Sequence, residues 1–100
     1  VAARVAGRLE RARASAEEAT AQLIAFGMTR DAYAVSVPYL MLLGFVTGGL
    51  MHARMLAATL AHDAQTDADA RRIREADAYG VYHLSRVAGL AEVVAAGEIA

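Results

Sequence analysis

Residues 37–51 read VPYLMLLGFVTGGLM, and this stretch decides the fold of the 100-residue chain. It carries no charged residue and is apolar on nearly all sides, whereas a helix on a protein surface has one apolar stripe and one polar side. A helix of this kind belongs either in the centre of a helical bundle or in lipid. The stretch therefore predicts an all-α fold built around a buried central helix.

The pattern around this stretch predicts a helix from about Thr29 to His62. Thr29 is a good N-cap residue, and Asp31 places a negative charge in the first turn, where the helix dipole favours it. Pro38 predicts a kink in the helix, because proline removes a backbone hydrogen bond. Alternatively, the helix proper begins just before Pro38, with Ser36 as its cap.

A membrane span is the main alternative for this helix. Residues 32–51 form a run of 20 residues without a charge, which is long enough to cross a hydrocarbon core. Gly44 and Gly48 form a GxxxG pair, as in packed membrane helices. However, Ser36, Pro38 and Thr47 dilute the run, and an arginine cluster or aromatic belt is missing from its flanks. We therefore favour the buried helix of a soluble bundle, and a small membrane-associated protein stays an alternative.

The segment before this helix predicts a first helix at about residues 2–26. Gly27 follows the last apolar residue of the pattern and favours a left-handed stop. The buried face is expected to consist of residues three or four positions apart, namely Val1, Val5, Leu9, Ala12, Ala16, Ala19, Leu23 and Phe26.

A third helix is predicted after the short polar spacer 63–66. Thr66, with Asp69 three residues later, resembles a capping box. The side expected to be buried consists of Ile73, Ala76, Gly80, His83 or Leu84, Val87, Leu90 and Val94. Short connections favour antiparallel neighbours. The prediction is an antiparallel bundle of three long helices that self-associates or packs on a parent domain.

The composition of the chain excludes several kinds of partner and site. Alanine fills 25 positions and proline one, which favours helix, and the formal net charge is −1. A chain this close to neutral has no strong field for nucleic acid or an acidic membrane surface. Without cysteine it has no disulfide, thiolate metal site or cysteine nucleophile, and it fits a reducing cytoplasm. Because the helical pattern is already under way at Val1, we expect one domain, residues 1–100, from the C-terminal part of a longer chain.

Motifs for catalysis or metal binding are missing. His52, His62 and His83 are the three imidazoles, and none has the glutamate spacing of a di-iron bundle or the HExxH pattern of a zinc site. The serines have no glycine elbow, and the glycines have no preceding strand that would make a phosphate loop. The sequence therefore predicts no catalytic, cofactor-binding or metal-binding residue.

Two further sets of residues have a structural and a functional interpretation. Arg4, Arg8 and Arg11 form a stripe on the first helix that could meet a phosphate, for example that of coenzyme A. A solvated flank or partner-facing rim is the commoner role of such a stripe. The tyrosines are more typical of helix packing with a hydrogen bond than of a ligand site; they are Tyr33, Tyr39, Tyr79 and Tyr82.

The middle and last helices resemble a known family. The residues that carry the resemblance are Pro38 to Gly44, Gly48-Gly49, Ala53-Arg54, Ala57-Ala58 and Ala61, followed by Ala76, Tyr79, Leu84, Arg86, Leu90 and Gly97. Together they resemble the C-terminal helical domain of a subset of acyl-CoA dehydrogenases, over roughly residues 1–98. Ala78 and Ser85 depart from it, because the family usually has Phe and Pro at these positions.

The resemblance implies a function for the parent protein rather than for this segment. Such enzymes are oxidoreductases of fatty acid metabolism that bind FAD and remove two hydrogens from the α and β carbons of an acyl-CoA thioester. The catalytic carboxylate and the flavin contacts belong to the preceding domains, so no catalytic residue is carried over. The implied partners are the parent dehydrogenase domains or a second copy of the chain, in a homo-oligomer. A free-standing, self-associating helical module is the alternative.

The residues expected in such a contact lie on the central helix. They are Leu40, Leu43, Gly44, Val46, Gly48 and Met51. Because Gly44 is a small residue in an otherwise bulky run, Gly44→Leu is expected to disrupt both helix packing and assembly.

Overall fold

A computed structural model describes residues 1–98, and within that range the chain is helical with no strand. The α-helices are α1 (Ala2–Phe26), α2 (Arg30–Ala34), α3 (Ser36–Leu60), α4 (Asp67–Tyr82) and α5 (Val87–Ala96), and a 3-10 turn (Leu84–Arg86) lies between the last two. The all-α prediction is confirmed.

The first helix ends as its sequence indicates. Gly27 has φ of 61°, a left-handed conformation that glycine adopts without steric cost, and its N–H donates to the carbonyl of Ile24. Ala12, Ala16 and Ala19 are buried along the inner side of α1. Their short side chains let the neighbouring helices lie close to its backbone.

The predicted second helix is two helices in the structure. The break lies at Val35, which has φ of −106° and ψ of 8°, and α3 begins at Ser36. Ser36 does not cap α3, because its hydroxyl donates to the carbonyl of Tyr33. The first α3 backbone bond runs from the Tyr39 N–H to the Val35 carbonyl. Pro38 thus stands in the first turn, where its missing N–H costs no helical bond, so the structure gives no reason for a kink there.

The predicted third helix is also interrupted. Its start is as expected: the Asp69 N–H donates to the Thr66 hydroxyl over 3.1 Å, and the Thr66 N–H donates to the Asp69 carboxylate over 3.0 Å. The regular helix stops at His83, and a 3-10 turn leads into α5. Of the alternatives His83 and Leu84, Leu84 is the buried residue.

Contacts between side chains give the directions of the helices. The Tyr39 and Thr20 hydroxyls lie 2.8 Å apart, while Leu56 packs with Val5, so α3 runs against α1. Arg4 near the start of α1 donates to Asp77 of α4, and the Glu98 N–H donates to Asp31, which lies just beyond the end of α1. The segment from α4 to α5 therefore runs in the same direction as α1. The resulting molecule is long and thin, with extents of 55 × 18 × 16 Å.

Two apolar clusters hold these helices together. The larger one joins α1, α3 and α5 and consists of Ala12, Ala16, Ala19, Val35, Leu42, Leu84, Val87 and Val94. The smaller one joins α1, α3 and α4 through Val5, Leu56 and Ala76. Leu42, Val87 and Val94 are fully buried, so their burial supplies much of the hydrophobic stabilisation.

Two aspartates of α4 have lowered pKa values because of the hydrogen bonds they accept. Asp77 accepts hydrogen bonds from Arg4 over 3.1 Å and from Arg8 over 3.0 Å, and the Arg4 bond is the main cause of its lowered pKa. Asp69 has a lowered pKa mainly because it accepts the Thr66 backbone N–H, with His62 adding to the effect.

These lowered pKa values predict a loss of stability in acid. A carboxyl with a lower pKa in the folded state stabilises the fold above its unfolded pKa, which is about 3.9 for aspartate. Asp69 and Asp77 therefore make their full contribution to the free energy of unfolding at neutral pH. This contribution is lost as the pH falls below about 4 and passes through the pKa values of the folded state. Denaturant unfolding at several pH values should show this decline, and Asp69→Asn with Asp77→Asn should flatten it. An equal acid decline in that double variant would contradict the assignment.

Candidate functional site

The most distinctive surface of the molecule is an apolar stripe along α3. Val37, Leu40, Gly44, Thr47 and Met51 follow one another at spacings of three and four, and all five are exposed. Val37 is 65 %, Leu40 66 % and Met51 57 % exposed. The Thr47 hydroxyl is already bonded to the Leu43 carbonyl of its own helix. We refer to these five residues as the outer face of α3.

The opposite side of α3 forms the contact with the rest of the chain. Its buried residues are Leu42, Gly49, Leu56 and Thr59. In the most apolar window of the helix, 17 % of the residues are buried inside the molecule. The central helix of the sequence prediction is therefore covered on one side, and its outer face has no cover from residues 1–98.

The structure divides the six predicted interface residues into two groups. Leu40, Gly44 and Met51 lie on the outer face. Leu43 and Val46 are partly buried and pack against the larger apolar cluster, and Gly48 lies under Tyr79. The first three could meet a partner directly, while the other three contact neighbouring helices of the same chain. The interface itself stays a prediction.

The three glycines of α3 have different surroundings. A Cβ on Gly48 would lie 2.1 Å from the Tyr79 hydroxyl, and one on Gly49 would lie 2.7 Å from a Leu84 methyl carbon. A Cβ on Gly44 would meet nothing within 4 Å. Gly48 and Gly49 thus allow α4 and the following turn to approach α3. Gly44→Leu has open space at its Cβ, so the structure gives no reason for it to disrupt packing within the chain.

An aromatic cluster fills the space beside Gly48. The Tyr79 ring lies 4.5 Å from the His52 ring and 4.8 Å from the His83 ring, and the His83 ring stacks on Phe45 at 5.5 Å. The Tyr79 hydroxyl donates to the Phe45 carbonyl over 2.8 Å, and burial raises the pKa of Tyr79. Tyr79 therefore packs between helices and forms a hydrogen bond, as the sequence predicts for the tyrosines.

Sequence reasoning missed that two histidines join this cluster. The Nδ1 atoms of His52 and His83 are buried without a hydrogen-bond partner among the described residues. Each imidazole is half-buried and provides ring surface for packing. The spacing of 31 residues between them carries no helical signal, because His52 lies in α3 and His83 follows the end of α4, and both rings contact Tyr79.

The arginine stripe of α1 is largely used within the chain. Arg4 and Arg8 both bind Asp77 of α4, whereas Arg11 is exposed and forms no ion pair with the described residues. Among residues 1–98, no group of three His, Cys, Asp or Glu side chains could hold a metal ion.

The apolar character of α3 also bears on the membrane alternative. It is the one described helix that is long and apolar enough to cross a bilayer, judged by length and composition. A single such helix is weak evidence, because the core helix of a soluble protein passes the same test. Its fully buried Leu42 shows that one side already serves the fold.

Comparison with known proteins gives one result. A family model described as "Acetyl-CoA dehydrogenase C-terminal like" matches residues 1–100. No curated protein and no solved structure matches the chain.

Proposed function

Because the chain belongs to the acetyl-CoA dehydrogenase C-terminal-like family, we propose that it is the non-catalytic helical C-terminal domain of an acyl-CoA dehydrogenase-like flavoprotein. The parent enzyme would remove hydrogens from the α and β carbons of an acyl-CoA, with FAD held by its other domains. Catalytic and flavin-binding motifs are missing from this sequence, so we assign the chain no step of that reaction.

The role we propose is assembly, and the outer face of α3 is the observation that carries it. Exposed apolar side chains in one continuous patch are typical of a contact surface. Covering Val37, Leu40 and Met51 would stabilise the contact by about 25 cal/mol per Å² of apolar area removed from water. We propose that the catalytic domains of the parent cover this face, with the helices of this chain acting as one antiparallel bundle in the cytoplasm.

Leu40→Asp tests this role in the complete dehydrogenase. A charge placed in a desolvated contact is costly unless it is paired, so we expect α3 to separate from the catalytic domains. Hydrogen exchange of the α3 amides in the complete enzyme should become faster. The free energy of unfolding of the isolated 100-residue variant should stay within about 0.5 kcal/mol of the wild-type value, because the change is at the surface.

Ile24→Asp is the matched control, since Ile24 is 75 % exposed but lies on α1. It should leave the exchange of α3 unchanged. Unaltered α3 exchange in Leu40→Asp would exclude the outer face as the contact. If the isolated chain dissolves only in detergent, the membrane-associated alternative is favoured instead.

A further inference from the structure

A second surface lies between α1 on one side and α5 with the preceding turn and Gly80 of α4 on the other, and no residue of α3 lines it. It consists of two adjoining clefts of about 280 and 420 Å³ that share Ser15 and Ala88. Ala12, Ala19 and Ala91 line it with short apolar side chains. We call it the α1/α5 groove.

The rims of the groove follow helical spacing. The α1 rim consists of Arg8, Arg11, Ser15, Glu18 and Gln22, and the opposite rim consists of Ser85 in the 3-10 turn and of Ala88, Glu92 and Ala95 in α5. Spacings that alternate between three and four keep each row on one side of its helix. The groove therefore runs along the length of both helices, with a mainly polar rim on α1.

Charge is distributed unevenly along the groove. Arg11 lines one end beside Arg8, which is already paired with Asp77, while Glu18 and Glu92 line the other end. The helix dipole does not explain this order, because it favours acidic residues near the start of a helix and basic residues near its end. The first turn of α1 has no acidic residue and its last turn has no basic one.

We propose that the α1/α5 groove is the contact between two antiparallel copies of this chain, with a twofold axis near Ser15. Arg11 and Glu18 lie four and three residues to either side of Ser15. A twofold axis there places Arg11 of each copy opposite Glu18 of the other. A twofold interface must be complementary to itself, and a groove with a basic and an acidic half meets that requirement.

The alanines and the charges have separate roles in this contact. Ala12 and Ala19 are already buried within the chain, and their short side chains leave room in the groove for α1 of the other copy. The exposed Ala88 and Ala95 supply the apolar area that the contact removes from water. Exposed ion pairs contribute little to affinity one at a time, but like charges brought together oppose binding. The charges therefore select the antiparallel orientation.

Charge reversal tests the contact, with sedimentation equilibrium of the 100-residue chain as the measurement. The wild type should form a dimer that weakens as salt is added, because exposed charges are screened. Arg11→Glu and Glu18→Arg should each lower the association constant by about tenfold or more, because each change creates two like-charge pairs per dimer. The double variant Arg11→Glu, Glu18→Arg should restore wild-type association.

Arg71→Glu serves as the control, because Arg71 is exposed on α4 and lines neither cleft. It should not change association, and circular dichroism should confirm that each variant is folded. A wild type that stays monomeric at every concentration would overturn the proposal, as would single variants that still dimerise. Loss of the dimer in Leu40→Asp but not in Arg11→Glu would move the contact to the outer face of α3.

Discussion

Gly48→Ala should lower the free energy of unfolding by about 3 kcal/mol, because one added methyl group overpacks the α3–α4 contact and breaks a hydrogen bond. The new Cβ would lie 2.1 Å from the Tyr79 hydroxyl and 2.7 Å from the ring carbon that bears it. Tyr79 has little room to retreat, since it stacks on His52 and donates to the Phe45 carbonyl. Thermal or denaturant unfolding of the isolated chain measures the loss, which for a domain of this size is roughly 12–24 °C in Tm.

Gly44→Ala is the matched control for Gly48→Ala. It makes the same change one turn earlier on the same helix, where nothing lies within 4 Å of the new methyl group. We expect Gly44→Ala to stabilise the chain by about 0.5–1 kcal/mol, because alanine has a higher helix propensity than glycine. Similar effects at the two positions would show that α4 does not approach α3 as closely as the structure has it.

The sequence predicts much of the fold because the signals are local. Gly27 and the Thr66–Asp69 capping box mark helix ends through the backbone of their own segment, and both lie where the pattern places them. The break at Val35 has one local mark, Pro38, which fits a helix start at Ser36 as well as a kink, and the break at His83 has none. Val35 is buried against residues far away in the chain, and His83 stacks on Phe45 of α3, so tertiary contacts decide both.

The same distinction explains what could be predicted of the candidate surfaces. The GxxxG spacing of Gly44 and Gly48 identifies small residues but does not say which neighbour each one meets. Periodicity also fails for α3, because a helix that is apolar all round gives no preferred buried side. The structure resolves this: Leu42 faces the core and Leu40 faces outward. The α1/α5 groove is formed by two helices about 70 residues apart in sequence, so no local pattern indicates it.

Leu42→Ala should destabilise the chain by about 3 kcal/mol, within the range of 2–5 kcal/mol seen when a buried leucine is cut back to alanine. Leu42 is fully buried in the cluster that joins α1, α3 and α5, so its removal leaves a cavity at their common contact. A domain of ordinary stability has about 5–15 kcal/mol in total, so this one side chain would account for a large share. Urea unfolding should show a lower midpoint with an unchanged slope.

Leu40→Ala separates folding from assembly, because Leu40 is the same residue type two positions away on the outer face. At 66 % exposure it contributes little to the isolated fold, so its removal should change the unfolding free energy by less than about 0.5 kcal/mol. In the complete dehydrogenase, however, Leu40→Ala should weaken the docking of α3 on the catalytic domains. Leu42→Ala leaves the outer face unchanged, so the folded fraction of that variant should dock normally. Equal destabilisation by the two variants in the isolated chain would mean that α3 is covered on both sides, and the outer face would then lose its proposed role.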